Sequence, residues 1–377
     1  MPIHNLAWYL QAQNFRILKD CAKHGTTVSS IDTDLLKKFT VPLAPFNEQH
    51  RIVEKIETLF ARLDKGEVTL REVQKLLARY RQSVLKAAVT GQLTADWRTE
   101  NAHRLEHDRD LLARILQTRR ETWEGRGKYK EPVTPDTTGL SELPEGWVWV
   151  TLEHLGFVKS GQTPKGVDAL VDPVGTIPWF KVSSMNEYGN EVVQNSSQWM
   201  FTEEGAKGAG FNLLPPGTIV FPKRGGAILT NKKRRLGCLA ALDLNTMGFV
   251  PVDLEEYVWV FFQGLDLRKI YDGSNGPQIN YHDIADVPIG LPSSTEEASV
   301  IADLVSASIE QISRLEDWCR TELTRSAALR QSILKDAFAG RLVPQDPSDE
   351  PASKLLARIR AERAAGPAKR TRKRAKP

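Results

Sequence analysis

The segment RQSVLKAAVTGQL, residues 81–93, recurs as RQSILKDAFAGRL at residues 330–342, an offset of 249 positions. Downstream, the pentapeptide LLARI occurs at residues 111–115 and again at residues 355–359. Ordered similarity over about a hundred residues indicates a duplicated module. Further pairs at the offset of 249 are Glu48 with Glu297, Ile52 with Ile301, Ile56 with Val305 and Leu63 with Ile312. The chain therefore holds two copies of one module with a long segment between them.

Each copy of the module has the pattern of one long helix. Alternating three- and four-residue spacings of apolar residues are typical of a helix that pairs with another helix. In the first copy these are positions 52, 56, 59, 63, 70, 73, 77, 80 and 84. The first helix is predicted from Glu48 to Val89, with Asn47 as its N-cap, Pro45 excluding an earlier start and Gly91 after its end.

The second long helix is predicted from about Glu296 to Ala339. Its apolar positions are Ile301, Val305, Ile312, Leu315, Leu323, Leu329, Ile333 and Ala337. Because each apolar stripe needs a partner, the two helices are expected to form an antiparallel coiled-coil rod. Two independent core helices are the alternative. The residues assigned to the helix rod and a subunit interface are Ile52, Ile56, Leu63, Leu77, Ile301, Val305, Ile312 and Ile333.

The segment between the long helices has strand and turn signals, so the predicted fold class is α+β, with one mixed α/β domain beside the helix rod. Strands are predicted at 147–152, 176–182, 219–221, 227–229 and 238–242, turns at 215–218 and 225–226, and a helix at 257–267. The predicted organisation is 1–46, similar to the end of the middle domain; 47–93, the first long helix; 94–142, a short helix at about 105–123 and a linker; 143–292, the middle domain; 293–345, the second long helix; and 346–377, a short helix and a basic tail expected to be disordered.

Composition and motifs argue against catalysis by this chain. Its 41% hydrophobic and 26% charged residues are ordinary for a globular protein, and no apolar run reaches the length of a membrane span. Three widely separated cysteines without a CxxC pair favour a cytoplasmic protein with reduced thiols. The sequence has no phosphate loop, no dinucleotide-binding fingerprint, no HExxH, no GxSxG and no Asn-Pro-Pro-aromatic motif. Neither an enzymatic role nor a metal site is therefore predicted.

Positive charge is concentrated in one part of the middle domain. Residues 143–292 contain 12 Lys and Arg against 16 Asp and Glu, yet six of the cations fall between Lys223 and Arg235. Cations beside the flexible pair Gly225–Gly226 suit contact with phosphates and guanine edges. A solvated charged hairpin is the alternative. The basic tail, residues 369–376, is expected either to contact phosphates or to act only as a solubilising segment.

Several segments together resemble a target recognition domain of type I restriction–modification specificity subunits. They are LPEGWVW at 143–149, SGQTP at 160–164, IPWFK at 177–181, LPPGTIVF at 214–221, KRGG at 223–226, QIN at 278–280 and PIGLP at 288–292. The segment PFNEQHRIV, residues 45–53, resembles the entry to the central helix of that family. The resemblance extends over the whole chain apart from the basic tail.

This resemblance implies a DNA-recognition subunit without chemistry of its own. In the family, two recognition domains separated by two antiparallel helices each read half of a split double-stranded DNA site. Two methyltransferase subunits and two motor-nuclease restriction subunits join the complex, so S-adenosylmethionine, ATP and Mg are expected on the partners, with no cofactor in this chain. The DNA-binding residues are expected to be Lys181, Lys223, Arg224, Gly225, Gly226, Lys232, Lys233, Arg234, Arg235, Gln278 and Asn280.

The chain departs from the family pattern at its start. Only about 46 residues precede the first long helix, so most of the first recognition domain is expected to be missing. Three explanations are open: a second specificity chain supplies it, a frame disruption removed it, or this sequence omits it. Recognition of a single half-site is predicted in each case. The alternative function is a coiled-coil adaptor that binds proteins and has no affinity for DNA.

Overall fold

The structure is a computed structural model that describes residues 3–24, 29–102, 108–125, 127–271 and 276–365. It divides into two compact units, here called unit 1 (Met1–Leu77 and Arg314–Pro377) and unit 2 (Ala78–Ser313). The predicted basic tail at 369–376 lies outside the described residues. None of the described helices is long and apolar enough to cross a membrane.

The regular elements are helices of very different lengths and short strands. The helices are α1 (Ile3–Ala12), α2 (Asn14–Cys21), α3 (Thr33–Lys37), α4 (Phe46–Val89), α5 (Ala95–Glu100), α6 (Asp108–Glu121), α7 (Leu152–Leu155), α8 (Glu203–Gly208), α9 (Glu255–Gly264), α10 (Tyr281–Ala285), α11 (Thr295–Phe338) and α12 (Ala352–Ala365). The strands are β1 (Ala22–His24), β2 (Ser29–Ile31), β3 (Val148–Thr151), β4 (Gly156–Ser160), β5 (Ile177–Phe180), β6 (Val193–Gln194), β7 (Met200–Phe201), β8 (Ile219–Pro222), β9 (Arg234–Leu236), β10 (Ala241–Leu242), β11 (Thr246–Pro251) and β12 (Pro288–Leu291).

The two long helices are α4 and α11, each 44 residues long and close to its predicted bounds. The prediction for Asn47 was wrong, because α4 begins at Phe46 and includes Asn47. The carbonyl of Pro45 accepts the first helical hydrogen bond, from the N–H of Gln49 over 2.9 Å. Proline is tolerated at a helix start because the N–H that it lacks has no partner there. The Asn47 side chain instead donates to Asp349 over 3.1 Å.

In unit 1, the beginning of α4 packs against the end of α11. The buried side chains of this contact are Ile52, Ile56, Phe60, Ile333, Leu334 and Ala337, and Leu63 is partly buried against them. Trp8 of α1 meets Phe60 edge to face, with ring centroids 5.0 Å apart. Arg330 of α11 also donates to Glu67 of α4 over 3.0 Å. An apolar stripe is therefore reinforced by an ion pair beside it.

In unit 2, the end of α4 packs against the beginning of α11. The buried contact includes Val84, Leu85, Ala88, Ala298, Ile301, Ala302 and Val305. The beginning of one helix meets the end of the other in each unit, so the predicted antiparallel pairing is confirmed.

Of the other residues predicted for the apolar stripe, Leu77 and Ile312 are buried as well. The predicted stripe was too wide, because Tyr80, Leu315 and Leu329 are each about half exposed (55%, 48% and 46%). A straight helix drifts from a strict seven-residue repeat, so some periodic positions turn outward.

Strands β1 and β2 pair with each other in unit 1, and the other sheets belong to unit 2. A five-stranded sheet has the order β4-β11-β8-β9-β6, a three-stranded sheet β10-β5-β7, and β12 pairs with β3. Three strand predictions were wrong in detail. The segment 227–229 lies in a 3-10 helix, Gly226–Thr230; the segment 238–242 is a strand only at Ala241–Leu242; and Leu152 begins α7. Asn231, which takes a left-handed conformation, ends that 3-10 turn.

Candidate nucleic-acid interface

The first group of candidate residues follows β8, a fully buried strand that ends at Pro222. Because β8 lies within the five-stranded sheet, the next residue, Lys223, has a fixed position. The N–H of Lys223 donates to the carbonyl of Asn245 over 2.7 Å, and its ammonium donates to Ser160 Oγ over 3.0 Å. Burial, together with the neighbouring guanidinium of Arg224, lowers the pKa of Lys223. Lys223 is therefore a partly buried cation that joins three separate chain segments.

Arg224 lies beside a segment that is more than fifty residues away in sequence. A β-bridge joins Arg224 to Gln278, and the N–H of Gly225 donates to the carbonyl of Pro277 over 2.8 Å. Gly225 has φ 73° and ψ −170°, a backbone conformation that favours glycine. Arg224 is exposed, and within the described chain no hydrogen bond or ion pair engages its guanidinium. The predicted site residues of 223–226 and 278–280 are thus brought together.

Two amide side chains complete this group. Gln278 Nε2 donates to Asn280 Oδ1 over 2.6 Å, and Asn280 caps α10, where its N–H donates to Asp283 over 2.7 Å. Arg makes paired hydrogen bonds to guanine, and Gln and Asn make them to adenine. We call Arg224, Gln278 and Asn280 the Arg-amide cluster. Its side chains are chemically suited to contact base edges.

The four adjacent cations 232–235 occupy four different environments. Lys232 donates to the side chain of Asn186. Lys233 is buried, where its ammonium donates to Asn231 Oδ1 over 2.9 Å and to the carbonyl of Leu265. Burial lowers the pKa of Lys233 to about 8. Arg234 donates to two carbonyls, those of Lys233 over 2.8 Å and Met185 over 3.1 Å.

Arg235, the last cation of the run, forms ion pairs within unit 2. Its guanidinium donates to Glu255 and Glu256 at the start of α9, the latter over 2.8 Å. These two carboxylates raise the pKa of Arg235 although its burial acts in the opposite direction. The charge of Arg235 is therefore already balanced. The sequence shows six clustered cations, whereas the structure separates them into balanced, buried and exposed groups.

Lys181 is held by aromatic rings. Its ammonium lies 3.8 Å from the ring centroid of Trp199 and 4.6 Å from that of Trp179. Cation–π contacts of this kind hold a cation in a fixed direction. Asp243 is a nearby buried carboxyl, and burial raises the pKa of Asp243 while the charge of Lys181 opposes that rise.

Sequence reasoning missed the residues that hold Lys223 and Lys232 in place: Ser160 and Asn186 through their side chains, and Asn245 through its backbone carbonyl. Ser160 opens the segment 160–164 that carried the family resemblance, so its motif was a usable signal. Asn186 and Asn245 carried no such signal, because each meets its lysine through the fold alone. In the residues with assigned positions, no group of His, Cys, Asp and Glu is arranged to hold a metal ion.

Comparisons with known proteins point to one class. The chain is 23% identical over 392 residues to the type I restriction enzyme EcoDI specificity subunit of Escherichia coli, covering 97% of this chain and 78% of that protein. It is 25% identical over 387 residues to the EcoKI specificity subunit of Escherichia coli (strain K12), covering 97% and 73%. It is 26% identical over 381 residues to the StySPI specificity subunit of Salmonella potsdam, again covering 97% and 73%.

The fold is similar to that of a chain in a solved structure, which concerns complex assembly and conformational transition of the type I restriction–modification system. The TM-score is 0.58 at 18% identity, over 89% of this chain and 69% of that one. No protein-family model matches the chain. Similarity along nearly the whole sequence, together with the shared fold, makes this chain a homologue of the specificity subunits of type I restriction enzymes.

Proposed function

We propose that this chain reads one half-site of double-stranded DNA for a type I restriction–modification complex. The observation that carries the proposal is the Arg-amide cluster, in which an exposed arginine lies beside Gln278 and Asn280. These three side-chain types are those that distinguish guanine and adenine in the major groove. The relatives, which are named specificity subunits of restriction enzymes, support the same role.

The remaining candidate residues divide by environment. Lys181, Lys223 and Lys232 are proposed as phosphate contacts, because each is only partly buried and is positioned by neighbouring side chains. Gly225 and Gly226 give the backbone close access to the groove, since an added Cβ would meet nothing at either position. Lys233, Arg234 and Arg235 remain predicted phosphate contacts, but their internal partners favour a supporting role.

The long helices are proposed to dock the other subunits. Methyltransferase subunits and motor-nuclease restriction subunits are the expected partners, carrying S-adenosylmethionine, ATP and Mg. This chain is proposed to be non-catalytic, in agreement with the names of its relatives. A second specificity chain is a further proposed partner, and the cytoplasm is the proposed location. Mixing the purified chain with methyltransferase subunits should give a stable complex that modifies DNA, whereas the chain alone should show no turnover with all three cofactors present.

A binding experiment tests the DNA-reading role. A preferred duplex is first selected from random sequence with the whole chain, and binding is then titrated against salt with preferred and scrambled duplexes. Arg224→Ala should weaken binding to the preferred duplex by about 1–3 kcal/mol and reduce discrimination. The matched variant is Arg235→Ala, which removes the same side chain from a site already balanced by Glu255 and Glu256.

The outcomes separate the hypotheses. If Arg235→Ala weakens binding to all duplexes equally and lowers the salt dependence, the basic run contacts phosphates as the sequence predicts. If Arg224→Ala alters neither affinity nor discrimination, the Arg-amide cluster does not read bases. Absence of any salt-dependent affinity in the wild-type chain would favour the alternative, a coiled-coil protein adaptor.

A further inference from the structure

A pocket of about 230 Å³ opens in unit 1 at the junction of the two long helices. Glu48 and Ile52 of α4 lie on one side, and Ala337, Phe338 and Gly340, at and just beyond the end of α11, lie on the other. Besides these residues, the polar side chains of Asn5 and Gln345 contribute to the lining. This pocket is separate from every residue of the candidate nucleic-acid interface, all of which belong to unit 2.

Glu48 is an unusual residue to find in such a place. Its exposed fraction is 4%, yet within the described chain no hydrogen bond or ion pair reaches its carboxylate. Glu48 lines the pocket, and no donor of the described chain uses the acceptor capacity of its carboxylate. The neighbouring Gln49 has a buried side-chain oxygen without a partner. An occupant with a hydrogen-bond donor would therefore find a free acceptor in this pocket.

The second copy of the repeated module has the equivalent position filled. Glu48 corresponds to Glu297 at the offset of 249. The indole Nε1 of Trp147 donates to Glu297 over 2.9 Å, and Arg98 donates to the same carboxylate over 2.6 Å. Thr94 donates to it over 2.7 Å. Glu297 is thus a fully buried carboxylate whose donors include a tryptophan that is not part of the repeat.

The remaining walls of the pocket correspond as well. Gly340 corresponds to Gly91, and both have left-handed φ angles, 71° and 72°. A Cβ on Gly91 would meet Pro144 at 2.6 Å, so the turn before Trp147 lies directly on that glycine. Gly340 lines the pocket instead, and an added Cβ there would meet only the side-chain nitrogen of Gln345, at 3.4 Å. At the same offset Val343 replaces Thr94, so the Glu48 pocket lacks a donor that the Glu297 site has.

We propose that the Glu48 pocket binds a tryptophan of another polypeptide, presented on a Pro-x-x-Trp segment in the way that residues 143–147 present Trp147 to Glu297. The indole N–H donates to the Glu48 carboxylate, the ring lies on Ile52 and Ala337, and the proline lies on Gly340. A cavity of about 150 Å³ is enough to hold benzene, so this pocket has room for the larger indole ring. The inference does not depend on the proposed DNA recognition.

The test uses the whole chain and a synthetic peptide with the sequence of residues 143–148, LPEGWV, whose single tryptophan is replaced by 5-fluorotryptophan. The ¹⁹F resonance of the peptide should shift on titration with the wild-type chain. Glu48→Ala should weaken binding at least tenfold, because a hydrogen bond to a charged group contributes about 1.5–3 kcal/mol. Glu48→Gln keeps the volume and one acceptor, so it should retain part of the affinity. An unlabelled peptide with phenylalanine for tryptophan should compete at least tenfold less well.

A second form of the experiment covers weak binding. The same peptide is ligated to the N-terminus through a short Gly/Ser linker, which raises its effective concentration to the millimolar range. Asn5 of α1 lines the pocket, so the linker has little distance to span. Absence of a shifted resonance in both forms would overturn the proposal. A shift that is the same in the wild-type chain and in Glu48→Ala would also overturn it, because the peptide would then occupy another place, such as the Glu297 site of a second copy. Circular dichroism confirms the helix content of each variant.

Discussion

The indole of Trp147 donates from Nε1 to Oε2 of Glu297 over 2.9 Å, joining the start of β3 to the first turn of α11. Glu297 is fully buried and also accepts from Ser293 and Arg98. The guanidinium of Arg98 lies 5.8 Å from the ring centroid of the same tryptophan. One carboxylate therefore holds the beginning of the middle domain against a long helix within unit 2.

Replacing this carboxylate should destabilise unit 2 strongly. In Glu297→Gln, an amide nitrogen replaces one of the two accepting oxygens and must face a hydrogen-bond donor. Arg98 also loses its counter-charge. We expect the free energy of unfolding to fall by about 3–5 kcal/mol. The measurement is urea denaturation followed by tryptophan fluorescence. The matched variant is Asp303→Asn on the exposed face of α11, which should stay within about 0.5 kcal/mol of the wild type. Equal effects of the two substitutions would contradict the assigned role of Glu297.

The packing of α4 in unit 1 can be tested with two truncations on the same helix. Ile56 is completely buried, whereas Leu76 is 59% exposed. Ile56→Ala should reduce the free energy of unfolding by about 2–5 kcal/mol, because it removes buried methyl groups and leaves a cavity. Leu76→Ala should have a small effect. Urea denaturation with far-ultraviolet circular dichroism reports the difference, and similar losses in both variants would count against the helix pairing in unit 1.

Lys233 should make stability rise with pH. Burial lowers the pKa of its folded form to about 8, below the ordinary value of 10.5. Between these two values the unfolded chain binds more protons, so the free energy of unfolding increases as the pH rises from about 8 towards 10.5. Each pKa unit corresponds to about 1.4 kcal/mol. In Lys233→Met this contribution disappears, so the wild type should gain on the variant between pH 7.5 and pH 9.5 in urea denaturation. Parallel pH profiles would contradict the burial of a titrating ammonium.

Two adjacent glycines near Arg224 offer a test of backbone conformation. An added Cβ would meet nothing at Gly225 or Gly226, but only Gly225 has a left-handed φ, of 73°. Gly225→Ala should therefore cost about 1–2 kcal/mol in strain and displace Arg224, while Gly226→Ala should not. Thermal unfolding measures the first effect, and binding to the preferred duplex measures the second. If both alanine variants behave alike, the special conformation of Gly225 has no consequence for the site.

Sequence patterns predicted the elements whose structure depends on neighbours along the chain. The duplicated segments at 81–93 and 330–342 located both long helices, because helix formation is local and its apolar period is visible directly. The left-handed glycines after them, Gly91 and Gly340, were equally visible at the ends of the repeats. The short 3-10 helix at Gly226–Thr230 was mistaken for a strand, since five residues are too few for a period to distinguish the two.

By itself, then, the sequence determined a duplicated helical module, its antiparallel pairing and the chemical types available to the candidate site. Only the tertiary structure decided which charges remain accessible. It pairs Arg235 with Glu255 and Glu256, buries Lys233, and brings Gln278 beside Arg224. These partners are far apart in sequence, and strand order and register bring them together. A charge run in the sequence cannot reveal them, because the availability of each cation depends on carboxylates and carbonyls supplied by distant segments.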